Sequence, residues 1–198
     1  ERGNIQPGDI KYVDQNGDGI VNDKDQVIIG RCEPIHTGGF NNNFTYKGLS
    51  LNIFFQWSYG NDVMNANRII FEGNAMGRNI NQFRSYTDRW SPENQDSRNF
   101  RTGGQGPTGY YSSRTIEDGS YLRLKTLQLS YKLPQRWIRH LRISSLEVFV
   151  SGQNLWTWTK YSGLDPEVST RHSALTPGFD YSAYARNRIY TGGVKLTF

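Results

Sequence analysis

Tyr190-Thr191-Gly192-Gly193-Val194-Lys195-Leu196-Thr197-Phe198 is the stretch on which the reading of the fold turns. In an extended chain successive side chains point to opposite faces. Tyr190, Val194, Leu196 and Phe198 therefore share one face, and Thr191, Lys195 and Thr197 share the other. Taken alone, the segment reads as a half-buried strand closing a soluble domain, or as a strand with one face toward lipid. Four other segments bear on the choice.

Residues 39–46 set Phe40, Phe44 and Tyr46 opposite Asn41, Asn43 and Thr45. Residues 49–59 set Leu51, Ile53, Phe55, Trp57 and Tyr59 opposite Asn52, Gln56 and Ser58. Residues 121–133 set Leu127, Leu129, Tyr131 and Leu133 opposite Thr126, Gln128, Ser130 and Lys132. Residues 145–155 set Leu146, Val148 and Val150 opposite Glu147, Ser151 and Gln153. With residues 188–198 these make strands of period two. Arg123 and Lys125 break the pattern by falling on the apolar face. They lie either beyond the apolar band or next to a bulge that shifts the register. Phe54 and Phe149 fall on polar faces.

The connections alternate in length. Lys47-Gly48 is a tight turn, residues 60–120 are long, 134–144 moderate and 156–187 long. Short turns on one side and long loops on the other are the up-and-down pattern of an outer-membrane barrel, whose last strand commonly ends on an aromatic residue. Long loops are uncommon in compact domains unless they carry function. With Phe198 on the periplasmic side, 60–120 and 156–187 are extracellular. Trp57, Tyr59 and Tyr190 then mark the outer interface, and Tyr46, Tyr131, Trp137 and Phe198 the inner one. Five strands cannot close a barrel, which needs about eight. The chain thus reads as all-β: C-terminal antiparallel strands of a large transmembrane β-barrel with long extracellular loops. Leu51, Ile53, Phe55, Val148, Val150, Val194 and Leu196 are the lipid-facing residues.

Composition agrees. The 198 residues include 21 Gly, 12 Tyr, 10 Phe and 5 Trp, a mixture that favours strands and turns over helices. Mean hydropathy is −0.70, and no run reaches the roughly 18 apolar residues of a membrane helix. Barrel strands alternate and average out as polar, so the value leaves a barrel open. The net charge of +5 comes with scattered Arg residues, without a recognition helix or zinc spacing, so nucleic acid is not an expected partner. Cys32 is the single cysteine and reads as structural. The sequence opens on Glu1 without an initiator Met, as a piece of a longer protein does.

One motif carries chemistry. Residues 14–25, Asp-Gln-Asn-Gly-Asp-Gly-Ile-Val-Asn-Asp-Lys-Asp, place oxygen donors at alternate positions. Asp14, Asn16, Asp18, the Ile20 carbonyl, Asn22 and Asp25 fall at positions 1, 3, 5, 7, 9 and 12 of a calcium loop, with Gly19 at the sharp turn. Position 12 is Asp rather than Glu, and the flanks look extended rather than helical. A structural calcium ion of weak affinity, of order 10⁻⁴–10⁻³ M, is one reading. An Asp/Asn/Gly turn without metal is the other.

Trp156, Trp158 and Tyr161 stand where the 156–187 loop begins, as candidates for stacking on a sugar face or another ligand. A girdle or loop-packing role competes with that reading. His36, His140 and His172 share no spacing. Arg136, Arg139 and Arg142 read as a solvated turn. Glu117-Asp118 and Asp165-Pro166-Glu167 supply acids but no pair arranged for glycoside hydrolysis, so no enzyme is expected.

Longer blocks carry a family likeness. They are Gly8-Asp9-Ile10-Lys11-Tyr12 running into Asp14–Gly19, Gly39-Phe40-Asn41-Asn42, and Phe54-Phe55-Gln56-Trp57-Ser58-Tyr59-Gly60-Asn61-Asp62. Ile116-Glu117-Asp118-Gly119-Ser120-Tyr121-Leu122-Arg123-Leu124-Lys125, Val150-Ser151-Gly152-Gln153-Asn154-Leu155 and Tyr161-Ser162-Gly163-Leu164-Asp165-Pro166-Glu167-Val168 follow in order. Together with the Phe198 terminus they make the chain resemble the SusC/RagA family of TonB-dependent outer-membrane receptors of Bacteroidetes. The resemblance implies the C-terminal end of a barrel of about 22 strands. The plug and the TonB-contacting N-terminal region would lie outside these 198 residues. It also implies uptake of glycans or peptides through the outer membrane, a SusD-type surface lipoprotein as partner, energy supplied through TonB, and no catalytic residues. The competing expectation is a secreted all-β carbohydrate-binding module with a structural calcium loop, which would be soluble without detergent.

Overall fold

The computed structural model describes residues 5–72, 79–104, 112–141, 143–170 and 176–198. His172 and Arg142 lie outside the described residues. In chain order the strands are β1 (His36–Tyr46), β2 (Leu49–Tyr59), β3 (Asp62–Asn65), β4 (Ile116–Asp118), β5 (Tyr121–Lys132), β6 (Ser145–Thr159), β7 (Phe179–Asp180) and β8 (Ile189–Thr197). Two short helices accompany them, α1 (Asn67–Phe71) and α2 (Gln135–Ile138). The chain divides into two units, residues 33–61, 118–167 and 184–198 in one, residues 1–32, 62–117 and 168–183 in the other.

The first of these units holds a sheet in the order β1-β2-β5-β6-β8, antiparallel throughout. These are the five strands legible in the sequence. β1 starts three residues early, at His36, and β6 runs on to Thr159 because Trp156 to Thr159 pair with Leu124 to Tyr121. The second long connection therefore begins at Lys160 rather than at residue 156. The β1–β2 turn needs two left-handed residues, and Lys47 (φ 46) and Gly48 (φ 86) supply them. A Cβ on Gly48 would stand 2.6 Å from the Lys132 carbonyl oxygen. In the 134–144 connection α2 exposes Arg136, as does the turn after it Arg139, while Ile138 is buried.

Register explains the residues that broke the alternation. Phe54 pairs with Thr126 but Phe55 with Leu124, so Lys125 is an extra residue in β5. Opposite it, β6 carries Asn154 and Leu155 outside the pairing, with Asn154 at φ 53. A one-residue bulge reverses the facing of everything beyond it. Leu122 and Leu124 consequently join the apolar face, while Tyr121 and Arg123 join the polar face beside Ser58 and Gln56. The bulge, not a position beyond the apolar band, accounts for Arg123.

The two misplaced phenylalanines stay on the polar face and find room over glycine. A Cβ on Gly193 would lie 2.6 Å from the Phe149 ring, and one on Gly39 2.8 Å from Phe54. Gly38 makes the same accommodation for Trp57 on the opposite face, at 2.3 Å. These three strand glycines, Gly38, Gly39 and Gly193, are seats for aromatic rings.

In the other unit β4, β3 and β7 form a second sheet, with β3 and β7 parallel through Met64–Phe179 and Asn65–Asp180. Val63, Ala66, Ile69 and Phe100 are buried there. The described residues between 60 and 120 thus form a folded insertion rather than a plain loop; their apolar residues are too scattered for a periodic signal. Glu72 takes Arg68 and Arg114, both at 3.1 Å, and Glu117 takes Arg68 at 3.4 Å. The Gly8-Asp9-Ile10 block is anchored at the same level. Gly8 (φ 85) lies against the Trp90 ring, Asp9 pairs with Arg101 at 2.6 Å, and the Ile10 N–H donates to the Gly104 carbonyl at 2.8 Å.

Candidate functional site

The five-stranded sheet has two unlike faces, and both bear on function. On one face the register gathers Leu51, Leu129 and Val150 in one row, Phe55, Leu124 and Trp156 in a second, and Val148 with Val194 and Tyr131 in a third. All seven residues expected to face lipid lie on this side. Val150 is 59% exposed, Val194 61% and Phe44 58%, and Tyr46, Leu129, Val148, Leu196 and Tyr190 are also exposed. An exposed apolar surface of this extent is foreign to a monomer in water, where contiguous patches rarely exceed a few hundred Å².

Trp156 and Trp158 belong to this apolar face. They are strand residues paired with Leu124 and Leu122, not the start of a loop. Their rings tilt against each other with centroids 6.4 Å apart, and Phe55 approaches Trp158 at 6.4 Å. The Arg188 guanidinium stands 5.9 Å above Trp156. Tyr161 is separate from them: it is buried, and Gly163 packs against its ring. His36 stacks on Tyr59 at 5.2 Å and accepts the Trp57 indole N–H at 3.1 Å.

The opposite face is polar. Asn52 donates to Asn41 at 2.9 Å and to Asn43 at 2.6 Å. At its β5–β6 end sits a charge cluster built around Arg123, 2% exposed. Its Nε–H donates to Thr157 Oγ1 at 3.0 Å, Nη1 to Glu167 Oε2 at 3.1 Å and Nη2 to Asp165 Oδ1 at 2.5 Å. Arg186 closes the group from the far end of the 160–188 connection. Its N–H donates to Asp165 Oδ2 at 3.2 Å, and its guanidinium meets Glu167 Oε1 at 2.9 Å. Lys125 Nζ lies 4.0 Å from Glu167 Oε2. A guanidinium buried this deeply is tolerated only with its charge paired and its N–H groups met. The acids Asp165 and Glu167 are therefore partners of Arg123 rather than a catalytic pair. Sequence reading missed the cluster, although Arg123 on a supposedly apolar face was its signal.

The 14–25 loop coils on itself. Asp14 accepts N–H groups from Gly17 and Gly19, both at 2.7 Å. Asn16 accepts from Asp18, Asp18 from Ile20 and Asn22 from Lys24, all at 2.8 Å. Asp25 accepts from Gln15 at 2.8 Å and from Asn22 at 2.7 Å. The Asn22 N–H, with those of Gln15 and Asn16, holds the Asp25 carboxyl below its ordinary range, and the Asp14 carboxyl is within hydrogen-bonding reach of it. Gly17 (φ 75) and Gly19 (φ 81) provide the left-handed turns. Among the described residues, no three His, Cys, Asp or Glu side chains converge on one point.

The smaller sheet borders a cleft of about 490 Å³, lined by Ile28, Cys32, Asp62, Met64, Ile116 and Phe179 among others. Cys32 is exposed, so it is not a buried packing thiol.

No family model matches the chain. It is 34% identical over 201 residues to TonB-dependent receptor P3 of Formosa agariphila, an alignment spanning 99% of this chain and 20% of that receptor. It is 24% identical over 196 residues to TonB-dependent receptor SusC of Bacteroides thetaiotaomicron, across 98% of this chain and 18% of that one. The solved structure of the RagAB peptide importer in its closed-closed state matches with a TM-score of 0.74 at 29% identity, over 86% of this chain and 18% of that chain. The chain spans about a fifth of the length of the curated relatives it matches.

Proposed function

We propose that this chain, which belongs as a barrel segment to the SusC/RagA family of TonB-dependent receptors, supplies outer-membrane wall and part of the outer mouth for the uptake of a peptide or oligosaccharide. The observation that carries the reading is the uncovered apolar face of a regular antiparallel meander. Water would not tolerate it, whereas a bilayer supplies its natural solvent. A soluble binding module, the competing expectation, would bury that face. Among the described residues both sheet edges, β1 and β8, are left open, and a barrel closes such edges through further strands.

The same proposal includes a SusD-type surface lipoprotein at the mouth, and energy from TonB through a segment outside this chain. The RagAB importer is named for peptides, and the oligosaccharide alternative comes from the family resemblance read in the sequence. The test is a peptide tag placed in residues 60–120 of the receptor carrying this segment, probed on intact cells. Surface labelling in the outer-membrane fraction is the expected result. A tag recovered only in soluble secreted material would sink the reading in favour of the binding module.

Calcium at residues 14–25 is a second, structural part of the proposal. Asp14, Asn16, Asp18, Ile20, Asn22 and Asp25 would hold it, and the adjacent Asp14 and Asp25 carboxyls fit a cation. Calcium bound there would hold the loop closed; it would supply no chemistry.

A further inference from the structure

The charge cluster on the polar face holds more positive charge than its own carboxylates neutralise. Among the described residues, Arg123, Lys125 and Arg186 pair only with Asp165 and Glu167. Arg123 is engaged at all three guanidinium nitrogens and is sealed from solvent. Both Asp165 oxygens are taken, Oδ1 by Arg123 and the Glu167 N–H, Oδ2 by the Arg186 N–H. Glu167 is shared by all three cations. The surplus therefore resides on Lys125 and Arg186, whose side chains are 25% and 45% exposed. Lys125 Nζ, at 4.0 Å from Glu167, is beyond hydrogen-bond distance and keeps its donors for another partner.

Position gives the surplus its meaning. Lys125 is the bulge residue of β5, and its ammonium reaches the polar face because Glu167 is there. Arg186 stands beside it, fixed through its backbone N–H to Asp165. The pair offers one unneutralised charge and a planar fork, on a floor made rigid by the Arg123–Asp165 contact. That matches a monoanion with two acceptor oxygens.

We propose that Lys125 and Arg186 form an anion-accepting site on the polar face of the sheet, which takes a carboxylate of incoming cargo. The site rests on the uptake reading for its occupant but not for its geometry. A peptide carboxylate and a uronic-acid carboxylate share the chemistry, and the assay separates them.

The experiment uses the purified receptor carrying this segment, in detergent, with four fluorescent probes: an acidic and a neutral tetrapeptide, and a uronic-acid and a neutral trisaccharide. At least one acidic probe should bind about tenfold more tightly than its neutral counterpart, the worth of a charged hydrogen bond. Lys125→Gln and Arg186→Gln should each reduce that preference while the barrel keeps its heat-modifiable mobility. Lys125→Gln leaves the buried Arg123 contacts untouched, and Arg186→Gln provides a second, more exposed variant. A wild-type receptor that binds acidic and neutral probes alike, or binds none, overturns the site. So does a preference that survives both substitutions. A preference in a receptor that carries no probe into cells strikes the uptake reading alone.

Discussion

Arg123 Nη2 meets Asp165 Oδ1 at 2.5 Å across 42 residues of sequence, in a setting where Arg123 is 2% exposed. This contact ties the beginning of the 160–188 connection to the polar face of β5. Arg123→Met takes from Asp165 and from Glu167 one of three partners each, the most deeply buried one, and should destabilise the folded segment by about 3–5 kcal/mol. Lowered heat resistance and faster proteolysis between residues 160 and 170 are the readouts. Unchanged cleavage there would mean that the connection is held by something else.

A charge on the apolar face should be expelled by the bilayer. Val148→Lys should cost about 2–4 kcal/mol near the membrane midplane, and less toward either interface. The quantity to follow is heat-modifiable receptor recovered from the outer membrane. Lys at Ser151, on the polar face, provides the comparison and should assemble normally.

The β1–β2 turn should be intolerant of side chains. Gly48→Ala adds a Cβ at φ 86, against the Lys132 carbonyl oxygen, and should cost about 1–3 kcal/mol. Gly17→Ala, also at positive φ but with open space around it, isolates the backbone contribution. If Gly48→Ala costs no more than Gly17→Ala, the close contact is relieved elsewhere.

Acid should loosen the first thirty residues in a defined direction. Asp25 is held below the ordinary 3.8, first by the Asn22 N–H. Asp9 is also held below 3.8: burial pushes it up, but the Gln6 N–H and Arg101 outweigh that. A depressed folded pKa contributes stability that is complete above the unfolded value and lost as pH falls through the folded one. Hydrogen exchange of the Gln15, Asn16 and Asn22 amides, compared between pH 5 and pH 3 after correction for intrinsic rates, should show protection failing only on the acid side of 3.8.

Calcium should protect the same loop. Terbium luminescence or calorimetry should report one weak site, of order 10⁻⁴–10⁻³ M. Asp14→Asn should abolish it while leaving one side-chain oxygen to accept the Gly17 or the Gly19 N–H. Identical protection of residues 14–25 with calcium and with a chelator would leave a metal-free turn.

The strands were legible because each alternates over enough residues to make its period unmistakable. β2 was read to its ends, Leu49 and Tyr59. The last four residues of β6 were not, since Trp156 and Trp158 resemble loop aromatics until their partners Leu124 and Leu122 are known. β3 and β4 were invisible for another reason: at four and three residues they are too short for any period. The charge cluster lay beyond sequence reading because its members come from three segments. Only the discord of Arg123 on an apolar face hinted at it.

The bulge at Lys125 leaves β5 as two half-strands in opposite phase, spliced by one residue. Deletions at this point therefore obey a parity rule. Losing Lys125 alone would set Leu124 beside Thr126 in one unbroken alternation and keep Arg123 on the polar face, with Asp165 and Glu167. Losing Leu124 as well would turn Arg123 onto the apolar face. β5 should accordingly survive the loss of one residue here and not of two, a form of punctuation that substitution tolerance at any single position would never reveal.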